Sequence, residues 1–438
     1  MATEVINLKS NLYDIDIDKR ERALLVALDT GRNAAWTPDD ILDELEELVI
    51  TAGGEVDIRF VQKRPKPDVA TYIGQGKTEE ISAYCQSNEI DLVVIAHDLS
   101  PRQKRNLEEV IPCKVVDRTE IILDIFAQRA QSKEGKLQVE LAQMNYLLPQ
   151  LTGKGTALSR LGGGIGTRGP GETKLETDRR HIRSRIYDIT KEIDEIKKHR
   201  SLHRSNRKDL PIHTVSLVGY TNAGKSTLLN YLTGAGVVAE DKLFATLDPT
   251  TRHLTLPHNL EALLSDTVGF IHNLPPHLIA AFRATLEELI EADILLHVVD
   301  VSHPKFIEHI HAVMYVLQEL DISDKKIFTA LNKIDRLEKD SPINKWSRDI
   351  PDSYPISSKT GEGIPALLEA ISNYLQQNRV LLFMKIPYDK GDILAHIHNQ
   401  GEVLTEDFTT NGTFIKAYIQ KMSLKMLEPY VVQENEIG

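Results

Sequence analysis

The stretch TVSLVGYTNAGKST, residues 214–227, decides the fold of the central part of this chain. Its apolar first half predicts a buried β-strand, and the residues that follow have the spacing G-x-x-x-x-G-K-S. Glycines at this spacing allow backbone amides to turn inward around an anion, and a helix that begins directly afterwards points its positive end at the same place. A strand, a glycine loop and a helix in this order predict a P-loop, which binds the phosphates of a nucleotide.

We expect the whole loop to contact the nucleotide. Within it, the Lys225 ammonium can reach the outer phosphates, and the Ser226 hydroxyl can bind Mg2+. The predicted nucleotide contacts of the loop are Gly219, Tyr220, Thr221, Asn222, Ala223, Gly224, Lys225, Ser226 and Thr227.

Three later motifs follow apolar runs in the order typical of a guanine-nucleotide site. They are Asp266-Thr-Val-Gly269, Asn332-Lys333-Ile-Asp335 and Ser357-Ser358-Lys359. Asp266 can hold Mg2+, and the Gly269 amide can sense the third phosphate. The Asp335 carboxylate can accept hydrogen bonds from both guanine N1 and the exocyclic amino group, a donor pair that adenine lacks, and the third motif backs the base. The order and spacing of the motifs favour GTP over ATP.

Between the P-loop and Asp266 lies LFATLDPTTR, residues 243–252, which we expect to be the first switch. Thr246 is our choice for the switch hydroxyl that binds Mg2+, with Thr250 and Thr251 as rivals. We therefore expect Lys225, Thr246 and Gly269 to serve catalysis.

Two residues predict slow hydrolysis that depends on an outside element. Phe270 occupies the position after Gly269 where many small GTPases have a glutamine, and phenylalanine cannot orient water by hydrogen bonding. Asn222 resembles the asparagine with which potassium-activated GTPases help to bind K+ beside the phosphates, although it could equally stabilise the loop alone.

The rest of the chain predicts an α/β fold with three further parts around this G domain, which we assign to residues 206–378. Alternating strands and helices over residues 1–125 predict a small parallel sheet. Residues 126–205 predict a long helical hairpin, and residues 379–438 a small α+β unit.

The hairpin is predicted from two helical segments. The first runs from about Thr119 to Leu148 and is broken or loosened near Gly135. The second begins near Glu172, and its heptad-like apolar seam suits an antiparallel partner helix. The seam consists of Leu175, Ile182, Ile186, Ile189, Ile193 and Ile196.

The predicted tip of the hairpin is GTRGPGETK, residues 166–174, whose glycines and proline cannot continue a helix. It nearly matches a P-loop, but Glu172 stands where lysine is needed, so we expect no second nucleotide site there. Residues 151–210 hold fifteen Lys and Arg against eight Asp and Glu, in a chain whose net charge is −12. This local excess indicates contact with a polyanion or, alternatively, a solvated charged helix face.

Composition bounds the remaining possibilities. The 438 residues have no apolar run long enough to span a bilayer and no amino-terminal signal pattern. Cys85 and Cys113 lack the spacing of a zinc site or a disulfide framework, so we expect a reduced, cytoplasmic protein. We also expect no integral membrane insertion and a monomeric protein.

Most of residues 20–378 resembles one family, the HflX GTPases. The segments that carry the resemblance are YIGQGKTEEI (72–81), LSPRQKRNLEE (99–109), VVDRTEIILDIFAQRA (115–130), KLQVELAQMNYLLPQLTG (136–153), LGGGIGTRGPGETKLETDRR (161–180) and FATLDPTTR (244–252). The last sixty residues are less diagnostic.

The resemblance implies a GTPase that uses GTP, GDP and Mg2+, binds the large (50S) ribosomal subunit and its rRNA, and splits stalled or idle 70S ribosomes. It also implies that the hairpin tip approaches ribosomal RNA, where Arg168 and Lys174 can neutralise phosphate charge.

Two other functions remain open at this point. A nucleotide-dependent switch could regulate a protein partner, which would leave the basic hairpin tip without a role. An RNA remodeller could have an additional amino-terminal ATPase activity, although no second P-loop occurs in residues 1–211.

Overall fold

The structure is a computed structural model in which two compact units, residues 1–122 and 123–438, are distinguished. The residues that it describes are 20–31, 35–151, 174–205, 212–234, 236, 242–275, 278, 286–338, 341–376, 379–420 and 423–432. The predicted α/β class, with parallel sheets and a P-loop domain, is confirmed. The finer division near residues 125, 205 and 378 remains our proposal.

The first unit contains a four-stranded parallel sheet in the order β2-β1-β3-β4. Its strands are β1 (Arg22–Asp29), β2 (Glu55–Lys63), β3 (Leu92–Ile95) and β4 (Lys114–Asp117). Its intervening helices are α1 (Pro38–Ala52), α2 (Gln75–Asn88) and α3 (Pro101–Val110). β1 and β3 are buried along most of their length, as expected for central strands of a parallel sheet.

Local sequence explains where two of these helices begin. Thr37 and Ser100 each accept a hydrogen bond from the backbone three residues later, and Asp40 and Gln103 return one, so both ends are capping boxes. Proline follows each cap residue, where its missing N–H costs nothing.

Three helices follow. They are α4 (Arg118–Arg129), α5 (Lys133–Gln150) and α6 (Lys174–Ser205). α5 and α6 pack as an antiparallel pair, because the charged contacts Lys133–Glu192 and Glu140–Arg185 run in opposite directions along the two helices. Ile189 and Ile193 of the predicted seam are buried against Leu137.

The predicted break near Gly135 lies a few residues before that glycine. The helix is interrupted at residues 130–132, and Ser132 caps α5 by accepting a hydrogen bond from the Gly135 amide at 2.9 Å. Gly135 therefore lies in the first turn of a new helix. A serine cap, rather than a flexible glycine, causes the break.

The G domain is built on a six-stranded sheet in the order β10-β9-β8-β5-β7-β6, parallel except for the pair β6–β7. Its strands are β5 (His213–Gly219), β6 (Thr250–Leu256), β7 (Leu260–Asp266), β8 (Ile294–Asp300), β9 (Lys326–Asn332) and β10 (Ser353–Pro355). Its helices are α7 (Lys225–Thr233), α8 (Glu287–Glu291), α9 (Phe306–Glu319), α10 (Ile343–Asp349) and α11 (Ile364–Gln376).

The last part of the chain forms a three-stranded antiparallel sheet in the order β11-β13-β12. Its elements are β11 (Arg379–Ile386), α12 (Gly391–Gln400), β12 (Glu402–Thr409), β13 (Gly412–Gln420) and α13 (Leu424–Leu427). Within the described segments, no helix combines the length and apolarity needed to cross a membrane.

Candidate functional site

The P-loop connects the end of β5 to the start of α7, at the carboxyl edge of the sheet, where α/β proteins bind their ligands. Asn222 and Gly224 both have positive φ, 61° and 94°, which turns the loop back on itself. A Cβ atom at position 224 would overlap Asn332 Nδ2, so glycine is required there for both conformation and space. The loop therefore presents backbone rather than side chains to a phosphate.

Lys225 is buried inside the loop. Its Nζ donates hydrogen bonds to the carbonyl oxygens of Gly219 at 3.1 Å and Tyr220 at 2.8 Å. Burial lowers the pKa of Lys225 to about 8, partly offset by the charge of Asp266. A phosphate would supply the negative charge that these carbonyls lack, so the geometry suits Lys225 to bind an anion.

Three oxygen-bearing side chains meet beside the loop. Ser226 Oγ donates to Asp266 Oδ2 at 2.6 Å, Thr246 Oγ1 donates to the same oxygen at 3.0 Å, and the two hydroxyls are 3.0 Å apart. Asp266 Oδ1 is buried and, among the described residues, has no hydrogen-bond partner. A carboxylate and two hydroxyls around one point are a donor set that suits Mg2+, so the residues present fit this ion.

Neither rival switch threonine has a side-chain hydrogen bond to Ser226 or Asp266 among the described residues. Thr251 Oγ1 lies 3.0 Å from Ser265 Oγ, and Thr250 is paired with Asp266 only through the β6–β7 ladder. Among the three candidates, the recorded side-chain contacts bring only Thr246 to Ser226 and Asp266.

A cleft runs along the P-loop, and both Thr246 and Gly269 line it. Lys242 also lines this cleft. The sequence analysis missed Lys242, although a lysine directly before the first switch is a signal that could have been noticed.

Hydrogen bonds link the P-loop to the last two motifs, Asn332-Lys333-Ile-Asp335 and Ser357-Ser358-Lys359. Asn332 Nδ2 donates to the Ala223 carbonyl at 2.8 Å, and Asn332 Oδ1 accepts from the Ser358 amide at 2.9 Å. Ser357 Oγ donates to Asp335 Oδ1 at 2.6 Å. The amide of Asn332 thus connects the phosphate loop to the serine loop that supports Asp335.

Lys333 has a partner that the motif search did not identify. Its Nζ contacts Asp300 Oδ2 at 2.7 Å, and both side chains are mostly buried. Asp300 ends the buried strand β8, and a carboxylate at the carboxyl end of such a strand is a usable sequence signal.

Some of the residues predicted to contact the nucleotide do not line the P-loop cleft. Tyr220 stacks on His309 with ring centroids 3.8 Å apart, and its Oη accepts a hydrogen bond from the His272 amide at 2.6 Å. Burial lowers the pKa of His309 to about 3, so the stack is between neutral rings. Lys359 is exposed, and Thr227 is exposed as well but lines the cleft along the P-loop. Arg168 lies outside the described residues, as does the side chain of Lys174.

Phe270 is a core residue. Its side chain is 1% exposed and packs with Val218, Leu286 and Leu289. Its backbone is joined to the P-loop, since its N–H donates to the Gly219 carbonyl at 3.1 Å and its carbonyl accepts from the Thr221 amide at 2.7 Å. The ring therefore occupies the core rather than the nucleotide cleft.

Family comparisons match three successive parts of the chain. Residues 39–127 match the family described as GTP-binding GTPase N-terminal, residues 129–207 the GTP-binding GTPase middle region, and residues 214–333 the 50S ribosome-binding GTPase family. Together with the site just described, these matches define a P-loop GTPase, an enzyme that binds GTP and GDP and hydrolyses GTP.

Relatives identify the family. The chain is 48% identical over 413 residues to GTPase HflX of Caldanaerobacter subterraneus subsp. tengcongensis, which covers 94% of each protein. It is 43% identical over 400 residues to GTPase HflX of Escherichia coli, covering 90% of this chain and 92% of that protein. A GTP-binding protein from Sulfolobus solfataricus, solved in complex with GDP, is 28% identical and covers 82% of this chain and 99% of that one, with a TM-score of 0.44.

The chain belongs to the HflX family of GTPases. The resemblance seen in the sequence is thereby confirmed, and membership makes the protein a ribosome-associated GTP hydrolase.

Proposed function

We propose that this GTPase binds the large ribosomal subunit in its GTP-bound state and separates stalled or idle 70S ribosomes. Contact with the ribosome then stimulates GTP hydrolysis. The observation that carries this proposal is that a GTPase site and a long, charged helical hairpin belong to the same compact unit, residues 123–438. We also propose that the protein acts as a monomer in the cytoplasm.

The hairpin has the dimensions and charge of an arm that reaches into RNA. α6 contains 32 residues, which at a rise of about 1.5 Å each corresponds to roughly 48 Å. It exposes Arg180, Arg183 and Lys191 along its length. We propose that Arg168 and Lys174, at the tip, neutralise RNA phosphates, because glycine neighbours allow the backbone to approach closely.

We assign the site residues as the motifs predict. Lys225 and the P-loop amides bind the phosphates, and Asp335 reads the guanine base with Asn332, Ser357 and Ser358 in support. Ser226, Thr246 and Asp266 would hold Mg2+. When bound, that ion neutralises charge on the outer phosphates.

Lys225, Thr246 and the Gly269 amide would stabilise charge on the transferred phosphoryl group. Phe270, the residue directly after Gly269, cannot orient the attacking water, since its side chain is apolar and buried in the core. We therefore propose slow intrinsic hydrolysis that the ribosome accelerates. Asn222, held at positive φ in the P-loop, is our candidate for binding K+.

The test compares the rate of GTP hydrolysis by the protein alone, with purified large subunits and with purified small subunits. Each rate is measured in K+ and in Na+. We expect stimulation by large subunits only, since supplying a missing catalytic or ordering element raises GTPase rates by about three to five orders of magnitude. Equal rates with and without large subunits would count against the ribosomal function. Equal rates in the two salts would count only against the K+ site.

A further inference from the structure

The first switch is attached on both sides of Thr246 to one other part of the same unit, the α4–α5 corner, which we define as residues 126–135. On the amino-terminal side, the Phe244 ring lies edge-on to Phe126, with centroids 4.7 Å apart and an interplanar angle of 74°. Each of these rings is 2% exposed, so the contact is fully desolvated. Aromatic pairs in this edge-to-face geometry attract beyond their buried area.

On the carboxyl-terminal side, Asp248 binds the corner through hydrogen bonds. Its Oδ2 accepts from the backbone N–H groups of Gln131 and Ser132, both at 2.8 Å, and its Oδ1 accepts from Ser132 Oγ. Ser132 is the residue that caps α5. One carboxylate therefore receives three donors where the chain turns into the hairpin helix, and hydrogen bonds to an ionised acceptor are the strong ones.

Gly135 makes room for this carboxylate. A Cβ atom at position 135 would overlap Asp248 Oδ1 and lie 3.0 Å from Ser132 Oγ. Glycine in the first turn of a helix normally lowers helix stability relative to alanine. Here its missing side chain provides the space that Asp248 occupies.

While both anchors are engaged, Thr246 Oγ1 is 3.0 Å from Asp266 Oδ2 and from Ser226 Oγ. We propose that Phe244 and Asp248 are positioning residues, which hold Thr246 at the magnesium site by fixing the first switch to the α4–α5 corner. The inference rests on the proposed role of Thr246 as a Mg2+ ligand.

A consequence follows from linkage. If the anchored switch favours Mg2+ and GTP, then Mg2+ and GTP must favour the anchored switch by the same factor. The amides of residues 131 and 132, at the base of hairpin helix α5, thereby respond to the nucleotide. Asp248 would thus connect the GTPase site to the hairpin.

The first experiment measures the Mg2+ concentration needed for half-maximal GTP hydrolysis in the full-length protein. Asp248→Asn keeps the size of the side chain but turns one acceptor into a donor that faces other donors. We expect it to raise the Mg2+ requirement about tenfold, the effect of losing one charge-assisted hydrogen bond. GDP affinity should remain unchanged, because switch contacts form with the third phosphate. Asp324→Asn, at an exposed aspartate of the same domain, is the matched control.

Gly135→Ala provides an independent test, because it leaves Asp248 intact and improves the helix propensity of α5. We expect it to raise the Mg2+ requirement as Asp248→Asn does, and the double variant to be no worse than either single one, since both remove the same contact. Additive effects of the two substitutions would contradict the shared anchor.

Hydrogen exchange supplies a readout that a purely structural role would not change. In the wild type, we expect the amides of residues 131–132 to exchange more slowly with Mg2+ and a non-hydrolysable GTP analogue than with GDP. Asp248→Asn should remove this difference. Equal exchange in the two nucleotide states of the wild type would overturn the inference.

Thr246→Val distinguishes the proposed Mg2+-binding role of Thr246 from the positioning role of Phe244 and Asp248. If it leaves the Mg2+ requirement unchanged, the proposed role of Thr246 fails. If it raises the requirement while Asp248→Asn and Gly135→Ala do not, only the positioning role of the anchor fails.

Discussion

In the proposed site, guanine recognition depends on a single residue, Asp335. Its Oδ1 accepts a hydrogen bond from Ser357 Oγ at 2.6 Å, which fixes the orientation of the carboxylate. Asp335→Asn should weaken the preference for GTP over ATP by about 10- to 100-fold, because an amide cannot accept hydrogen bonds from both guanine donors. Competition binding measures this preference, with Asp349→Asn at an exposed site as the control. Unchanged discrimination would mean that another residue reads the base.

Because the Phe270 side chain is buried, a glutamine introduced at this position should not orient the attacking water. Phe270→Gln should lower the free energy of unfolding by about 3 to 5 kcal/mol, since it removes a buried aromatic ring and buries an amide. It should not accelerate hydrolysis. Denaturant titration and intrinsic GTPase rates are the measurements, and Phe408→Gln, at a ring that is 73% exposed, is the control. Normal stability combined with faster hydrolysis would show that this position faces the nucleotide.

In the proposed site, Lys225 should make nucleotide binding sensitive to pH. Its pKa of about 8 without nucleotide should rise when phosphates replace the carbonyl partners, so binding takes up a proton above that pH. Affinity for GTP should therefore fall as pH rises through about 8. Calorimetry in buffers of different ionisation enthalpy measures the uptake at pH 8, and Lys225→Ala should abolish both the uptake and productive binding. Binding without proton uptake would contradict the low pKa of the free site.

At the scale of elements, residues that act within one loop were predictable from the sequence, and contacts between distant segments were not. The P-loop and Asp266 were found because each follows a buried strand and ends at the same edge of the sheet. The anchoring of Asp248 to Gln131 joins residues 117 positions apart. Only the folded chain brings such a pair together, since the switch sequence that contains Asp248 does not indicate which distant residue it contacts.

The hairpin shows the same difference. The later part of its apolar seam is predicted correctly, because Ile189 and Ile193 of α6 are buried together and Ile196 packs beside them. The break before α5 is predicted to within a few residues, but the role of Gly135 is not. The sequence suggests a glycine that breaks or loosens the helix, whereas in the structure its missing side chain leaves room for the Asp248 carboxylate.

The hairpin tip provides the prediction at this scale. Replacing Arg168 and Lys174 by alanine should weaken ribosome binding and splitting while intrinsic GTP hydrolysis stays normal. Each lost phosphate contact should also reduce the slope of log affinity against log salt, by up to about 0.9 on duplex-like RNA. Binding at several salt concentrations measures both effects. Wild-type affinity and slope in the double variant would leave the tip as a solvated turn.

At the scale of the whole molecule, the proposed function requires a GTPase site, a switch anchored to a helical hairpin, and a tip that contacts RNA. Under this proposal, only the joint action of the three parts produces ribosome splitting. A protein that regulated another protein through its nucleotide state would use the same GTPase site without affecting ribosomes. The effect on ribosomes is therefore what distinguishes the proposed function from regulation of a protein partner, and splitting of 70S ribosomes is the central claim.

Sedimentation of purified 70S ribosomes with the full-length protein and a non-hydrolysable GTP analogue tests this claim most directly. We predict that the 70S peak is converted to separate subunits and that the protein travels with the large one, whereas Lys225→Ala leaves the 70S peak unchanged. A 70S peak that persists with wild-type protein at saturating GTP analogue would contradict the account.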